Sequence, residues 1–265
     1  MDGADSLKEQ IRQAGNAAGR MELRRMEDTM LWTAQNLMGT YHSLEAEQAA
    51  ASARAEAQKH LSEKVKDQEM LGSSTSYHSQ EAYQKWQSAL NEYERLKKEQ
   101  ERVRQELLLL TGFSPDSPVV LEKMPLPDVS RAALVNPQED RQQALGNNYE
   151  LRSGRMGNAG SNQELHKKQR QTELDENQMF ASLETLGNQI RSCQAEWEAA
   201  CAKEQAQRAV WQSAVRKREL GTMAEGEYLE IYSQYMEEKG NQAQASIRFL
   251  LAMEEYDWAK KGLMD

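Results

Sequence analysis

The sequence predicts an all-α fold made of two repeats of very long antiparallel coiled-coil helical hairpins. Three observations carry that expectation. The residue supply is dominated by good helix formers, with only 3 Phe and 5 Pro in 265 residues. The phrase Leu71-Gly72-Ser73 has a counterpart in Leu220-Gly221-Thr222, and each lies between two long helical runs. Apolar residues recur at alternating four- and three-residue steps for several heptads after each phrase.

Charged residues are 28% of the chain and the mean hydropathy is −0.87. A chain this polar buries narrow stripes along helices rather than one thick core. The net charge of −9 argues against a nucleic-acid partner, which would call for a basic face, and disfavours binding to a membrane surface. Cys193 and Cys201 are eight residues apart on one expected helix, about 12 Å along its axis, so they cannot form a disulfide. His42, His60, His78 and His166 are scattered without a metal-binding spacing, and no nucleophile stands beside a base. Neither an enzyme nor a cofactor or metal site is expected. No apolar stretch is long enough for a membrane-spanning helix, and Met1-Asp2-Gly3-Ala4-Asp5 does not read as a signal peptide.

In chain order, Ser6-Leu7-Lys8-Glu9 is a capping box for a short helix, and Gly15 to Gly19 breaks it. A helix of about fifty residues, roughly 75 Å, follows from Met21 to about Met70. One seam runs through Leu23, Met26, Met30, Leu37 and Leu44. A second runs through Leu31, Ala34, Met38 and Tyr41, with Leu61 and Val65 continuing a thinner stripe. After the first tip, Ala82, Trp86, Ala89, Tyr93, Leu96, Gln100, Val103, Leu107 and Leu110 keep heptad spacing.

All five prolines then fall between Phe113 and Gln138, which excludes a long helix there. Val119 to Leu121 reads as a short strand, and Val129 to Leu134 as a turn or two of helix. Asn136 and Pro137 start a helix that runs to about Met156. Gly157 to Gly160 forms a break, and Ser161 with Glu164 forms a capping box. The longest helix follows, about sixty residues or roughly 90 Å. Its seam passes from Met179 through Leu183, Leu186, Ile190, Cys193, Trp197 and Ala200 to Trp211 and Ala214, with Glu204 and Gln207 as a polar layer that fixes register. At the second tip Thr222 and Glu225 read as a capping box restarting the chain. Ile231, Tyr235, Ala245, Phe249, Ala252, Tyr256 and Ala259 then form the last seam.

The sequence repeats itself. Gly15-Asn16-Ala17 recurs as Gly157-Asn158-Ala159, an offset of 142, and the tips recur at 149. The difference of seven is one heptad, so the second long helix gains two turns with its packing face in phase. The expected organisation is a first hairpin repeat over 1–112, its leading short helix cut, then a Pro-rich crossing over 113–136 and a second repeat over 137–265. Part of a helix and a leader would precede Met1.

Three kinds of feature resemble the TolC family of outer-membrane efflux ducts. Ala144-Leu145-Gly146-Asn147-Asn148-Tyr149-Glu150-Leu151-Arg152 is similar to that family's "AL-x-N-N-P-E-L-R" opening. The tips are similar to its Leu-Gly pattern, most clearly from Leu220-Gly221 to Glu227-Tyr228-Leu229. Leu110-Thr111-Gly112 and Lys261-Gly262-Leu263 stand where family repeats end. The resemblance implies a homotrimeric helical tunnel in the cell envelope, outside the cytoplasm. Its hairpin tips would dock on the adaptor (membrane fusion) protein of an export pump. By position the docking residues would be Leu71, Gly72, Ser73, Leu220, Gly221 and Thr222. In a trimer Glu225 and Glu227, just past the second tip, would form an acidic ring at a tunnel mouth that selects cations. Family members insert barrel strands where this chain has Gly15–Gly19 and Gly157–Gly160, so a barrel-less variant is expected. The alternative is a coiled-coil scaffold or chaperone-like protein, monomeric or dimeric and indifferent to its tips. Acidic residues in a first helical turn also have a plain role in favouring the helix dipole.

Overall fold

A computed structural model describes residues 17–155 and 160–264. It contains α1 (Ala17–Met70), α2 (Ser76–Leu110), α3 (Val129–Ala133), α4 (Pro137–Asn147), α5 (Tyr149–Arg155), α6 (Asn162–Glu219) and α7 (Glu225–Lys261). Among the described residues there is no strand. The fold is all-α, with α1–α2 and α6–α7 as two long helical hairpins. The expected helix at Ser6–Glu9 and most of the two glycine breaks lie outside the described residues, while Gly19 is already helical.

Two compact units form, one from Met1–Gly39, Gln105–Ala195 and Arg248–Asp265, the other from Thr40–Arg104 and Glu196–Ile247. Both units draw on both halves of the sequence, so they cut across the division into repeats.

In the first unit the last half of α7 is buried on more than one face. The predicted seam members Phe249, Ala252, Tyr256 and Ala259 are buried, and so are Leu250, Met253 and Trp258 beside them. Leu183 and Ile190 of α6 and Leu107 and Leu108 of α2 complete this core. The seam on the first part of α1 is thinner than the sequence implies, because Met26 and Leu31 remain 48% and 46% exposed. Periodicity marks which residues share a face and does not say whether a neighbour covers it.

The crossing segment and the helix after it each differ from expectation in one place. Val119 to Leu121 has no regular structure, and Val120 is exposed; an isolated three-residue stretch without strand pairing is not a strand. The helix expected to run unbroken to Met156 is divided at Asn148, which is fully buried and extended at ψ 126°. Its side chain restarts the helix by accepting from the Leu151 N–H at 2.9 Å, while the Tyr149 N–H donates to the Gly262 carbonyl at 3.2 Å. The other helix starts here behave as their residues dictate. Asp128 caps α3 at the Ser130 N–H, 2.9 Å, and Asn136 caps α4 with Pro137 in its first turn. At α6 the Ser161 hydroxyl accepts from the Glu164 N–H at 3.2 Å, and the Glu164 carboxylate reaches the Gly160 N–H at 2.7 Å.

In the second unit α2 buries Ala82, Ala89, Leu96 and Val103, four members of its predicted seam. On α1 the buried positions are His42, Ala53, Ala55 and Ser62, whereas Leu61, expected in the stripe, is 44% exposed. Small residues are needed at Ala46 and Ala50 because α7 comes very close. A Cβ on Gly240 would lie 3.3 Å from the Ala46 carbonyl oxygen and 3.7 Å from the Ala50 Cβ. Between α6 and α7, Trp211 stacks on Tyr235 with ring centres 4.7 Å apart, and the Gln242 amide donates to Cys201 Sγ at 3.7 Å. Glu204 is buried in the predicted polar layer, where Arg208 one turn later donates twice to its carboxylate, at 2.9 and 2.7 Å.

Candidate functional site: the two hairpin tips

Both tips belong to the second unit, and they close with the same pair of backbone hydrogen bonds. At the first, the Ser73 N–H donates to the Gln68 carbonyl at 2.8 Å and the Gly72 N–H to Glu69 at 2.9 Å. At the second, the Thr222 N–H donates to Lys217 at 2.9 Å and the Gly221 N–H to Arg218 at 3.0 Å. This is the Schellman closure of a helix, and it requires a left-handed residue. Gly72 at φ 73° and Gly221 at φ 69° supply it. A Cβ at either glycine would meet nothing within 4 Å, so the constraint is the backbone angle and not space.

The hydroxyls also match. Ser73 Oγ and Thr222 Oγ1 each donate to the same carbonyl as their own N–H, both at 3.0 Å. That places Thr222 at the end of α6 and not at the start of α7, contrary to the capping box expected with Glu225. α7 begins at Glu225, three residues further on. The first tip does have a hydroxyl cap: Thr75 Oγ1 accepts from the His78 N–H at 3.4 Å.

What the tips show to solvent is apolar. Leu71 is 83% exposed and Leu220 77%. Met70 and Tyr77 are strongly exposed beside Leu71. These two were missed as site residues, although their position flanking Gly72 was the available signal. Isolated exposed leucines are ordinary, but two at corresponding positions of two matching turns are a repeated feature.

The two tips differ in charge. Arg218 donates to both oxygens of Glu225, at 2.8 and 2.7 Å, and its guanidinium lies 4.2 Å from the centre of the Tyr228 ring. This clamp joins the end of α6 to the first turn of α7. It also engages Glu225, one of the two acids expected at a tunnel mouth, whereas Glu227 is exposed and has no ion pair among the described residues. Behind this tip, His60 of α1 packs on the first turn of α7, its Nδ1 3.2 Å from where a Gly226 Cβ would be.

No protein-family model and no curated protein matches this chain. Solved structures do. The outer-membrane channel OprN matches with a TM-score of 0.56 and 14% identity, over 98% of this chain and 72% of that one. The outer membrane protein VceC of Vibrio cholerae matches at 0.58 and 12%, over 98% and 76%. CusC, from a study of folding and transmembrane channel formation, matches at 0.63 and 13%, over 100% and 84%. These neighbours are outer-membrane channels, so the expected barrel-less subclass gains no support from them. Gly15, Asn16 and Gly157 to Ala159, where strands would enter, lie outside the described residues. At these identities the likeness is one of architecture: the fold of this chain is TolC-like.

Proposed function

We propose that the chain is the helical tunnel component of an export or efflux assembly in the cell envelope, a homotrimer that meets an adaptor protein through its hairpin tips. The observation that carries this reading is the pair of matching turns, each holding a leucine out to solvent beside a left-handed glycine. A lone hairpin corner would not be reproduced with the same hydrogen bonds, hydroxyl and exposed apolar residue 149 positions away. The TolC-like fold supports the tunnel role. The duplication inferred from sequence is supported by the same correspondence, and by Gly112 and Gly262, which close α2 and α7 with matching bonds. Because Arg218 neutralises Glu225, Glu227 is the residue left to act as a tunnel-mouth acid.

A photo-crosslinking residue placed at position 71 or 220 in cells tests the docking. Adducts with a membrane fusion adaptor from both positions are the expected result, with loss of the adduct on Leu220→Asp or Gly221→Trp. Adducts with unrelated proteins only would sink the docking role. A molar mass of one or two chains by light scattering in the assembled state would favour a coiled-coil scaffold instead.

A further inference from the structure

The first unit contains a half-open cavity of about 440 Å³ between α1, α6 and α7, lined by Trp32, Glu255, Trp258 and Leu263 and by Leu186 with the polar Gln178, Ser182 and Thr185 of α6. Pockets of this size and lining take small organic ligands. The carboxyl is the anomaly. Its neighbours along α7 are matched: Glu254 receives Arg131 Nη1 at 2.7 Å and the Gln35 amide at 3.3 Å, and Asp257 receives Arg131 Nη2 at 2.6 Å. Glu255 has no ion pair or hydrogen bond among the described residues, and burial pushes its pKa up with no charged neighbour contributing. A carboxylate half-withdrawn from water without a partner is costly, and a cation inside the cavity would relieve that cost. The walls are suited to one. Trp258 is held in place by its Nε1–H, which donates to Gln35 Oε1 at 2.6 Å, and its ring already takes the Lys261 ammonium at 4.1 Å. Indole faces attract cations more strongly than other aromatic rings do.

We propose that this cavity binds an organic ammonium carrying an apolar body, with Glu255 as counter-ion and the indoles of Trp32 and Trp258 flanking the cationic head. The site does not depend on the tips or on the tunnel reading; it stands on the cavity and its unmatched carboxyl.

Isothermal titration of the full chain with decyltrimethylammonium below its micelle concentration tests it, with octyl glucoside as an uncharged control. One saturable site for the cation is expected, weakened about tenfold or more by Glu255→Gln, the effect of losing one close charge partner. Octyl glucoside binding should be the same in both proteins. Leu186→Trp, which fills the cavity, should abolish cation binding while the helical content stays intact. Absence of a saturable site, or cation affinity within twofold of wild type in Glu255→Gln, overturns the proposal. So does a Glu255→Gln protein whose assembly state changes while its cation affinity does not, because the counter-ion would then be a basic residue of another copy.

Discussion

Gly262 and Asn147 meet backbone to backbone: a Cβ on Gly262 would overlap the Asn147 carbonyl, 2.7 Å from its carbon. The glycine also sits at φ 110° and accepts the Tyr149 N–H. Gly262→Ala therefore combines strain with a clash against backbone that cannot rotate away. A loss of about 3 kcal/mol or more is expected by denaturant unfolding. A loss below about 1 kcal/mol would show that the α4–α5 junction can shift.

The tip glycines should be more forgiving. Gly72→Ala and Gly221→Ala strain the backbone in open space, so each should cost about 1–2 kcal/mol. Leu71→Asp and Leu220→Asp should change stability by less than about 0.5 kcal/mol, because neither side chain is packed. A large loss from either leucine would mean that the tip is a structural contact.

Arg131 ties α3 to α7 through Glu254 and Asp257. Burial works against its charge, but the two carboxylates outweigh burial and raise the guanidinium's pKa. The side chain is about a third exposed, so solvent screens part of this energy. Arg131→Ala should cost about 1 kcal/mol, and the difference from wild type should shrink in high salt. A difference that does not change between low and 1 M salt would rule out an electrostatic tie.

Tyr149 and Tyr256 are buried, and their hydroxyls donate to Asp28 at 2.7 Å and Asp140 at 2.8 Å. Burial first, and then the adjacent carboxylate, raise both pKa values well above the ordinary tyrosine value. A raised folded pKa gives stability that is complete below the unfolded pKa and is lost as pH rises from there towards the folded one. Above pH about 10 the unfolded phenols ionise while the folded ones do not. Stability should then fall by about 1.4 kcal/mol per pH unit for each tyrosine. Tyr149→Phe and Tyr256→Phe should each flatten that alkaline slope, and an unchanged slope in both would refute the linkage. Near pH 7, Tyr256→Phe should cost about 1.5 kcal/mol, the value of a hydrogen bond to a charged acceptor.

Much of this architecture could be read from particular residues. Val103 and Leu107 lie on the buried face their heptad spacing assigned, and Gly72 and Gly221 end helices where the repeated phrase placed them. These features are local, set by the helical period and by the one residue type that tolerates a left-handed angle. Asn148 was legible as a family-like phrase but not as a break. Its extended backbone depends on Gly262, 114 positions later, accepting the next N–H. The candidate cavity was not legible at all, because Trp32, Leu186 and Glu255 are distant in sequence and each alone reads as an ordinary helix-face residue.

By itself the sequence determined that the chain is built of long helices, which stripe on each is apolar, and that two matching glycine turns end the long helices. It could do so because caps, turns and helical period are short-range properties. Only the tertiary structure decided which stripes were covered, leaving Leu61 and Met26 exposed while enclosing the last half of α7. It alone turned Thr222 back onto Lys217, gave Glu225 to Arg218, and left Glu255 without an ion pair or hydrogen bond among the described residues. Burial and charge pairing are relations between distant segments, and their energies exist only once neighbours have been brought into contact.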